Sequence, residues 1–391
     1  MQCYLVGGAI RDALLGRSVQ DRDYVVVGAT PQDMINAGFR PVGHDFPVFI
    51  HPVTGAEHAL ARTERKVALG YKGFTFYAGT DVTLEQDLQR RDISINAMAQ
   101  RVDQQYQPYG PIVDPYGGLH DLQRKLLRHV SLAFVEDPVR ILRVARFAAR
   151  FHEFSVAPET VVLMQEMVKR GEADALVAER VWQELSKGLM EGSPYKLLQI
   201  LAECGVLQRI FKEFNFTAAG LNGVSQKQKL ERAISLAAQQ QVNLNIRFAI
   251  VMHFFFQLAG NETPVRDVLL AFCQRLRVPR ECQSFAQIVL AQYDALMQFT
   301  AATPAQLVNL LQLCDAWRRS ERFDDILKTC LLINAFLCGE DFFSLLLQAF
   351  SAAQKINVSA IANANADQGS QAIAEAIKHA RIQAIEQQLN R

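Results

Sequence analysis

The sequence predicts an α+β fold in which a small sheet-forming portion comes first and a long helical arm follows. Two stretches carry that expectation. Near the start, YLVGGAIRDALLGRSVQDRDYVVVG, from Tyr4 to Gly28, reads as strand, glycine turn, helix, loop and strand. From about Ala157 onward, apolar residues recur at helical spacing over 161–168, 181–190 and 196–204, with breaks at Gly171, Gly192-Ser193-Pro194 and Gly205.

The first stretch carries chemistry as well as pattern. Tyr4-Leu5-Val6 is a short apolar strand ending at Gly7-Gly8, where the missing Cβ atoms let a polyphosphate approach backbone N–H groups. Arg11 and Asp12 sit in the first turns of the helix that follows, Leu14 and Leu15 give it an apolar face, and Gly16 stops it. A guanidinium at Arg11 can grip a phosphate. Asp21 and Asp23 come next, at the mouth of the β-branched run Tyr24-Val25-Val26-Val27. A strand's side-chain period of two puts both carboxylates on one face, close enough to share divalent ions. Paired carboxylates beside a phosphate cradle suit Mg²⁺, which takes oxygen ligands and completes its shell with water and substrate phosphates.

Composition narrows the class. The chain has 391 residues, enough for two to four domains and a sizeable core. Its 41 Lys and Arg against 40 Asp and Glu leave a net charge of +1, so contact with nucleic acid must come from local clusters. Seven scattered cysteines without a C-x-x-C pair indicate reduced thiols rather than a disulfide frame or zinc site. Gly-Gly and Arg-Asp arrive before an apolar signal segment can form, and the apolar runs at 248–256 and 330–337 are too short to span a bilayer. A cytoplasmic protein is expected.

The order GG-x-x-RD-x-LLG, then D-x-D at a strand, resembles the opening motif of class II tRNA nucleotidyltransferases (CCA-adding enzymes) and bacterial poly(A) polymerases, within the DNA polymerase β superfamily. The resemblance implies a nucleotidyltransferase head with a small mixed or antiparallel sheet over residues 1–125. It also implies a helical neck over 126–190 that recognises the base, and a helical body and tail over 191–391 that hold the tRNA acceptor and T arms. Asp21 and Asp23 would bind Mg²⁺, with Gly8 and Arg11 holding the triphosphate. The substrates would be tRNA, CTP and ATP.

The remaining elements test it in order. Thr30-Pro31-Gln32-Asp33 supplies a capped helix start that Gly38 closes, and short strands follow near 47–51 and 57–61. Glu57, on a neighbouring strand, is placed by the resemblance as a third catalytic carboxylate; an ordinary edge-strand glutamate is the alternative. Residues 62–77, RTERKVALGYKGFTFY, lack periodicity and read as a mobile loop, the position of a flexible loop that such enzymes need for the final A, or as a plain surface hairpin. LQRRDISINAMA, 88–99, resembles the second family motif. It implies that Arg91 reaches the nucleotide, Asp92 orients that arginine and Asn96 holds the loop or the sugar. Asp114-Pro115-Tyr116-Gly117-Gly118 turns the chain, and residues 119–127 begin a basic helical connection.

The third motif, EDPVRILRVARF, places Arg140, Arg143 and Arg146 three residues apart on one helix face. Seven basic residues against two acidic ones between Arg124 and Arg150 concentrate positive charge here. A carboxylate at Asp137 accepts from an exocyclic amine, carried by C and A, while a guanidinium at Arg140 donates to the adjacent ring acceptor. U and G present the opposite polarity, so each leaves buried groups unpaired at a cost of several kcal/mol, on the order of 2–5. The resemblance implies the same roles, with Arg143 and Arg146 also on the nucleotide.

In the helical half, Lys227, Lys229, Arg232, Arg247, Arg275, Arg277 and Arg280 could meet phosphates or simply be solvated. His253 is followed by Phe254, not Asp, so the His-Asp phosphohydrolase site of some longer relatives is not expected, and His253 reads as a core histidine. Residues 361–368 read as a linker before an amphipathic terminal helix. The rival expectations are a poly(A) polymerase, a specialised A-adding or CC-adding relative, and a non-catalytic RNA-binding protein.

Overall fold

In the computed structural model, residues 1–42, 48–66, 74–214, 216, 224–259, 264–335 and 339–390 are described. They form two compact units, Met1–Phe211 and Lys212–Arg391.

The first unit is built on strand β1 (Gln2–Val6), helix α1 (Gly8–Leu14) and strand β2 (Asp23–Val27). β1 pairs antiparallel with β2 in the register Tyr4↔Val25. Alternation along β1 sends Val6 into a core with Val25, Leu88 and Ala97, and Leu5 into another with Ile10, Tyr24 and Met98. A strand covered on both faces reads as a continuous apolar run, as Tyr4-Leu5-Val6 does.

Helix α2 (Pro31–Asn36) begins at the expected cap, with Thr30 and Asp33 in a reciprocal capping box. Strands β3 (Arg40–Val42), β4 (Val48–Ile50) and β5 (Glu57–Leu60) follow. Instead of an unstructured loop, Thr63–Lys66 (β6) and Phe74–Tyr77 (β7) pair antiparallel, because Thr63 opposite Tyr77 and its neighbours form a ladder; residues 67–73, the centre of the expected loop, lie outside those described. Helix α3 (Leu84–Gln89) leads to strands β8 (Ala99–Val102) and β9 (Pro108–Val113). The seven-stranded order β3-β4-β5-β2-β1-β8-β9 has one parallel pair, β2 with β5, so the sheet is mixed.

Asp114 accepts from the backbone N–H groups of Gly118 and Leu119 and starts helix α4 (Gly118–Gln123). The basic connection is therefore helical only to Gln123. Leu126–Leu127 (β10) then pairs parallel with Ser155–Val156 (β11), across helix α5 (Val139–Arg150). Helices α6 (Pro158–Lys169), α7 (Ala178–Met190) and α8 (Pro194–Glu203) follow, and α7 and α8 both pack on α5. Gly188 permits the α7–α8 approach, since a Cβ there would lie 2.8 Å from Leu197 Cδ1.

The second unit is helical throughout its described elements, from Val224–Gln239 to Ser370–Leu389, around buried Phe248, Phe272, Phe285 and Phe323. Residues 361–368 are not a linker: helix Val358–Ala364 and the 3₁₀ turn Ala366–Gln368 continue into the terminal helix, whose Ile385 is buried. His253 is buried with its ring centroid 4.2 Å from that of Tyr293, and this burial pushes the imidazole down to about 4. No described helix is long and apolar enough to cross a membrane.

Candidate active site

Gly7 makes the turn between β1 and α1 at φ +69°, and a Cβ there would lie 3.0 Å from an Arg91 guanidinium nitrogen. Glycine thus lets the second motif close on the first. The two meet at a cavity of about 490 Å³ whose lining includes eight arginines and five aspartates, a surplus of positive charge suited to a polyanion. Gly8, Arg11, Asp21, Asp23, Arg91, Asp137, Arg140, Arg143 and Arg146 all border it. Sequence positions spread over more than a hundred residues are brought to one place. Glu57 is not among them.

Asp21 lies in the loop ahead of β2, and the strand begins only at Asp23. The two carboxylates are neighbours through that loop, and not through the two-residue period of a strand. Protein surrounding Asp23 raises its carboxyl above the usual range, with Arg91 opposing and Asp21 adding to the effect. Glu57 opens β5 one step before the parallel Tyr24↔His58 pair, so it stands beside Asp23 in the sheet. It borders an adjoining cavity that Asp21, Asp23 and Tyr106 also line.

The arginines are held by partners that the sequence did not announce. Arg11 is buried, with Nε and one terminal nitrogen on the carboxylate of Asp12 and the other on Asn96 Oδ1. Its guanidinium also lies 4.9 Å from the ring centroid of Phe151. Arg150 donates to Asp12 at 3.0 Å, tying α5 to α1.

Asp92 does not orient Arg91. Its carboxylate accepts from Arg143 Nε at 2.7 Å, Asn96 Nδ2 at 3.1 Å and the Ile93 N–H at 2.8 Å. Arg91 is instead held by Asp87 at 3.2 Å, because Asp87 sits one helical turn before it on α3. Burial alone would raise the Asp92 carboxyl, but Arg143 and these hydrogen bonds hold it down at about 2. Asn96 accepts from Arg11 of the first motif and donates to Asp92, which in turn holds Arg143 of the third.

On α5, Arg140 is buried and donates to Ala133 O at 2.5 Å and Arg90 O at 2.6 Å. Arg143 is the more open of the row, and Arg146 donates to Glu184 at 2.6 Å. Asp137 accepts both arms of Arg180, at 3.1 and 2.7 Å. Arg180 and Glu184 were missed in the sequence. Their four-residue spacing puts them on one face of α7, and their charges complement Asp137 and Arg146, a signal that becomes readable once α5 and α7 are paired.

A mixed-sheet head with an arginine-lined cavity and two carboxylates at its mouth defines a nucleotidyltransferase. Residues 3–128 match the family model described as the poly A polymerase head domain, and 153–217 match one described as the probable RNA- and SrmB-binding site of polymerase A. The multifunctional CCA protein of Cupriavidus metallidurans is 49% identical, covering 100% of this chain and 99% of that protein. That of Burkholderia mallei is 48% identical over 99% and 98%. The chain belongs to the multifunctional CCA protein family. Its fold is similar to that of a CCA-adding enzyme solved with ATP, at a TM-score of 0.71 and 24% identity over 98% of this chain and 86% of that one. The Thermotoga maritima CCA-adding enzyme solved with tRNA gives 0.69 and 23% over 100% and 91%.

Proposed function

We propose that this protein adds C, C and A to the 3′ end of tRNA without a template, using CTP and ATP and releasing pyrophosphate, and that it repairs incomplete CCA ends. The observation that carries the reading is the convergence of Asp21 and Asp23 with Asp137, Arg140 and the arginine row on one cavity.

The donor set fits Mg²⁺. Two aspartates at the open mouth offer only oxygen, and Asp21 adds to the electrostatic cost of charging Asp23, a cost that a bound cation would offset. When bound there, Mg²⁺ supplies activation of the primer 3′-hydroxyl and neutralises charge on the leaving pyrophosphate. The protein's own groups do the rest. The turn at Gly8 and the guanidinium groups of Arg11, Arg91, Arg143 and Arg146 position the triphosphate, while Asp137 and Arg140 read the base edge. Residues 1–125 serve as head and 126–190 as neck, with 191–391 as the body and tail that hold the acceptor and T arms. The protein works in the cytoplasm, where its tRNA substrate is found. No phosphohydrolase is assigned, since His253 precedes Phe254 and is packed on Tyr293.

The test supplies Mg²⁺ and tRNA transcripts ending before CCA, after C or after CC, with CTP, ATP or both, and resolves products at single-nucleotide resolution. Addition that stops at a complete CCA end is expected. A long A tail, addition of CC or A alone, or RNA binding without incorporation overturns the assignment.

A further inference from the structure

The two groups assigned to the base edge are fixed in different ways. Arg140 donates to two main-chain carbonyls, Ala133 O and Arg90 O, which no substitution can take away. Asp137 depends on a side chain: Arg180 spans its carboxylate with Nη1 on Oδ1 at 3.1 Å and Nη2 on Oδ2 at 2.7 Å. Oδ1 also accepts the Val139 N–H at 3.1 Å. A carboxylate offers about four lone-pair positions, so these three donors leave one, on Oδ2, for the base. All of Asp137, Arg140 and Arg180 border the same cavity.

We infer that Arg180 is a specificity-determining positioning residue, which locks the Asp137 carboxylate plane so that the site accepts only a base presenting an N–H donor there. The inference rests on the base-reading role proposed above for Asp137. The terminal torsion of an aspartate is broad, and without the fork the carboxylate can turn aside from the carbonyl of U or G. Arg180 therefore enforces rejection rather than supplying contact. A lysine would keep the positive charge but offer a point donor in place of a planar pair, so charge and geometry separate in one substitution. Arg180 is carried by α7, whose Glu184 one turn later holds Arg146 on α5, so the same helix fixes the acceptor and part of the arginine row.

The experiment measures kcat and KM for CTP and UTP on tRNA ending before CCA, and for ATP and GTP on tRNA ending in CC. It compares the wild-type protein with Arg180→Lys and Arg180→Gln, each checked for native circular dichroism. The expected result is a CTP-to-UTP ratio of kcat/KM lowered about tenfold or more in both variants, with the ATP-to-GTP ratio falling in parallel and KM for CTP changed far less. An active wild type with unchanged ratios in a folded variant, including a uniform loss for all four nucleotides, overturns the inference alone. Loss of the fold in both variants also overturns it, since the residue is then structural. A wild type that adds no C or A overturns the reading of the site and this inference with it.

Discussion

In the unit Met1–Phe211, Arg11, Asp12, His58, Asp87, Asp92, Asp121, Arg140 and Glu184 are all buried; in Lys212–Arg391 the buried ionisable groups among the described residues are Arg247, His253 and four cysteines, Cys273, Cys282, Cys314 and Cys330. The contrast follows from purpose. Burying an ion pair costs desolvation that its attraction roughly offsets, so the first unit gains little stability from its lattice. It gains fixed geometry, with Asp12 joining α1 to α5, Asp92 joining the second motif to Arg143, and Glu184 joining α7 to Arg146. The second unit is held by apolar burial, where phenylalanine pairs such as Phe248 and Phe272, at 6.4 Å between centroids, tolerate replacement by other shapes of similar volume.

The sharpest way to break this comparison is at the exposed end of the lattice. Asp21→Ala should lower nucleotide addition by about a thousandfold or more, the scale of losing metal-assisted charge stabilisation. Its melting temperature should stay near the wild-type value, because Asp21 is solvent-exposed and outside the core. A variant that retains turnover would remove Asp21 from the reaction.

The buried end should behave oppositely. Asp92→Ala leaves Arg143 without its carboxylate, and a loss of about 3–5 kcal/mol of stability is expected from denaturant unfolding. The Asp92 carboxyl sits at about 2 in the fold against 3.8 for a free one, so its contribution is present above pH 3.8 and is lost as pH falls toward 2. That difference is worth about 2 kcal/mol. Unfolding of the wild type should steepen across this window, and Asp92→Asn should flatten that part of the curve.

The same contrast sets what could be read from the chain. Alternation and turn chemistry gave β1, α1, β2 and the Thr30 cap, because those signals are local. The motif residues around the cavity were legible through their order and spacing, which resemble the family's three motifs, more than through any one residue. Who holds whom was not legible. Asp92 was matched to its sequence neighbour Arg91, but its partner Arg143 is fifty-one positions away on α5. Arg180 belongs to none of the three motifs, and its hold on Asp137 emerges only once α7 is set against α5. In the second unit, Arg247 was grouped with candidate phosphate contacts, yet it is buried and donates Nε to Val242 O at 3.1 Å. Arg247→Ala is expected to destabilise by about 2 kcal/mol through loss of that buried bond and its packing. The CTP-to-UTP preference should remain, which differential melting and single-nucleotide assays can separate.

Glu57 marks the boundary of the comparison, because it adjoins the site without entering its main cavity. It stands beside Asp23 in the parallel register but is exposed at the start of β5. An exposed carboxylate that shares only the adjoining space should tune the charge near Asp23 more than it holds anything in place. Glu57→Gln is therefore expected to lower kcat for CTP by less than about tenfold, roughly 1 kcal/mol, without a change in melting temperature. If instead its loss matches that of Asp21→Ala, Glu57 acts as a third ligand when the nucleotide is bound. The two cavities then work as one, and the site is wider than the arginine lattice that defines it.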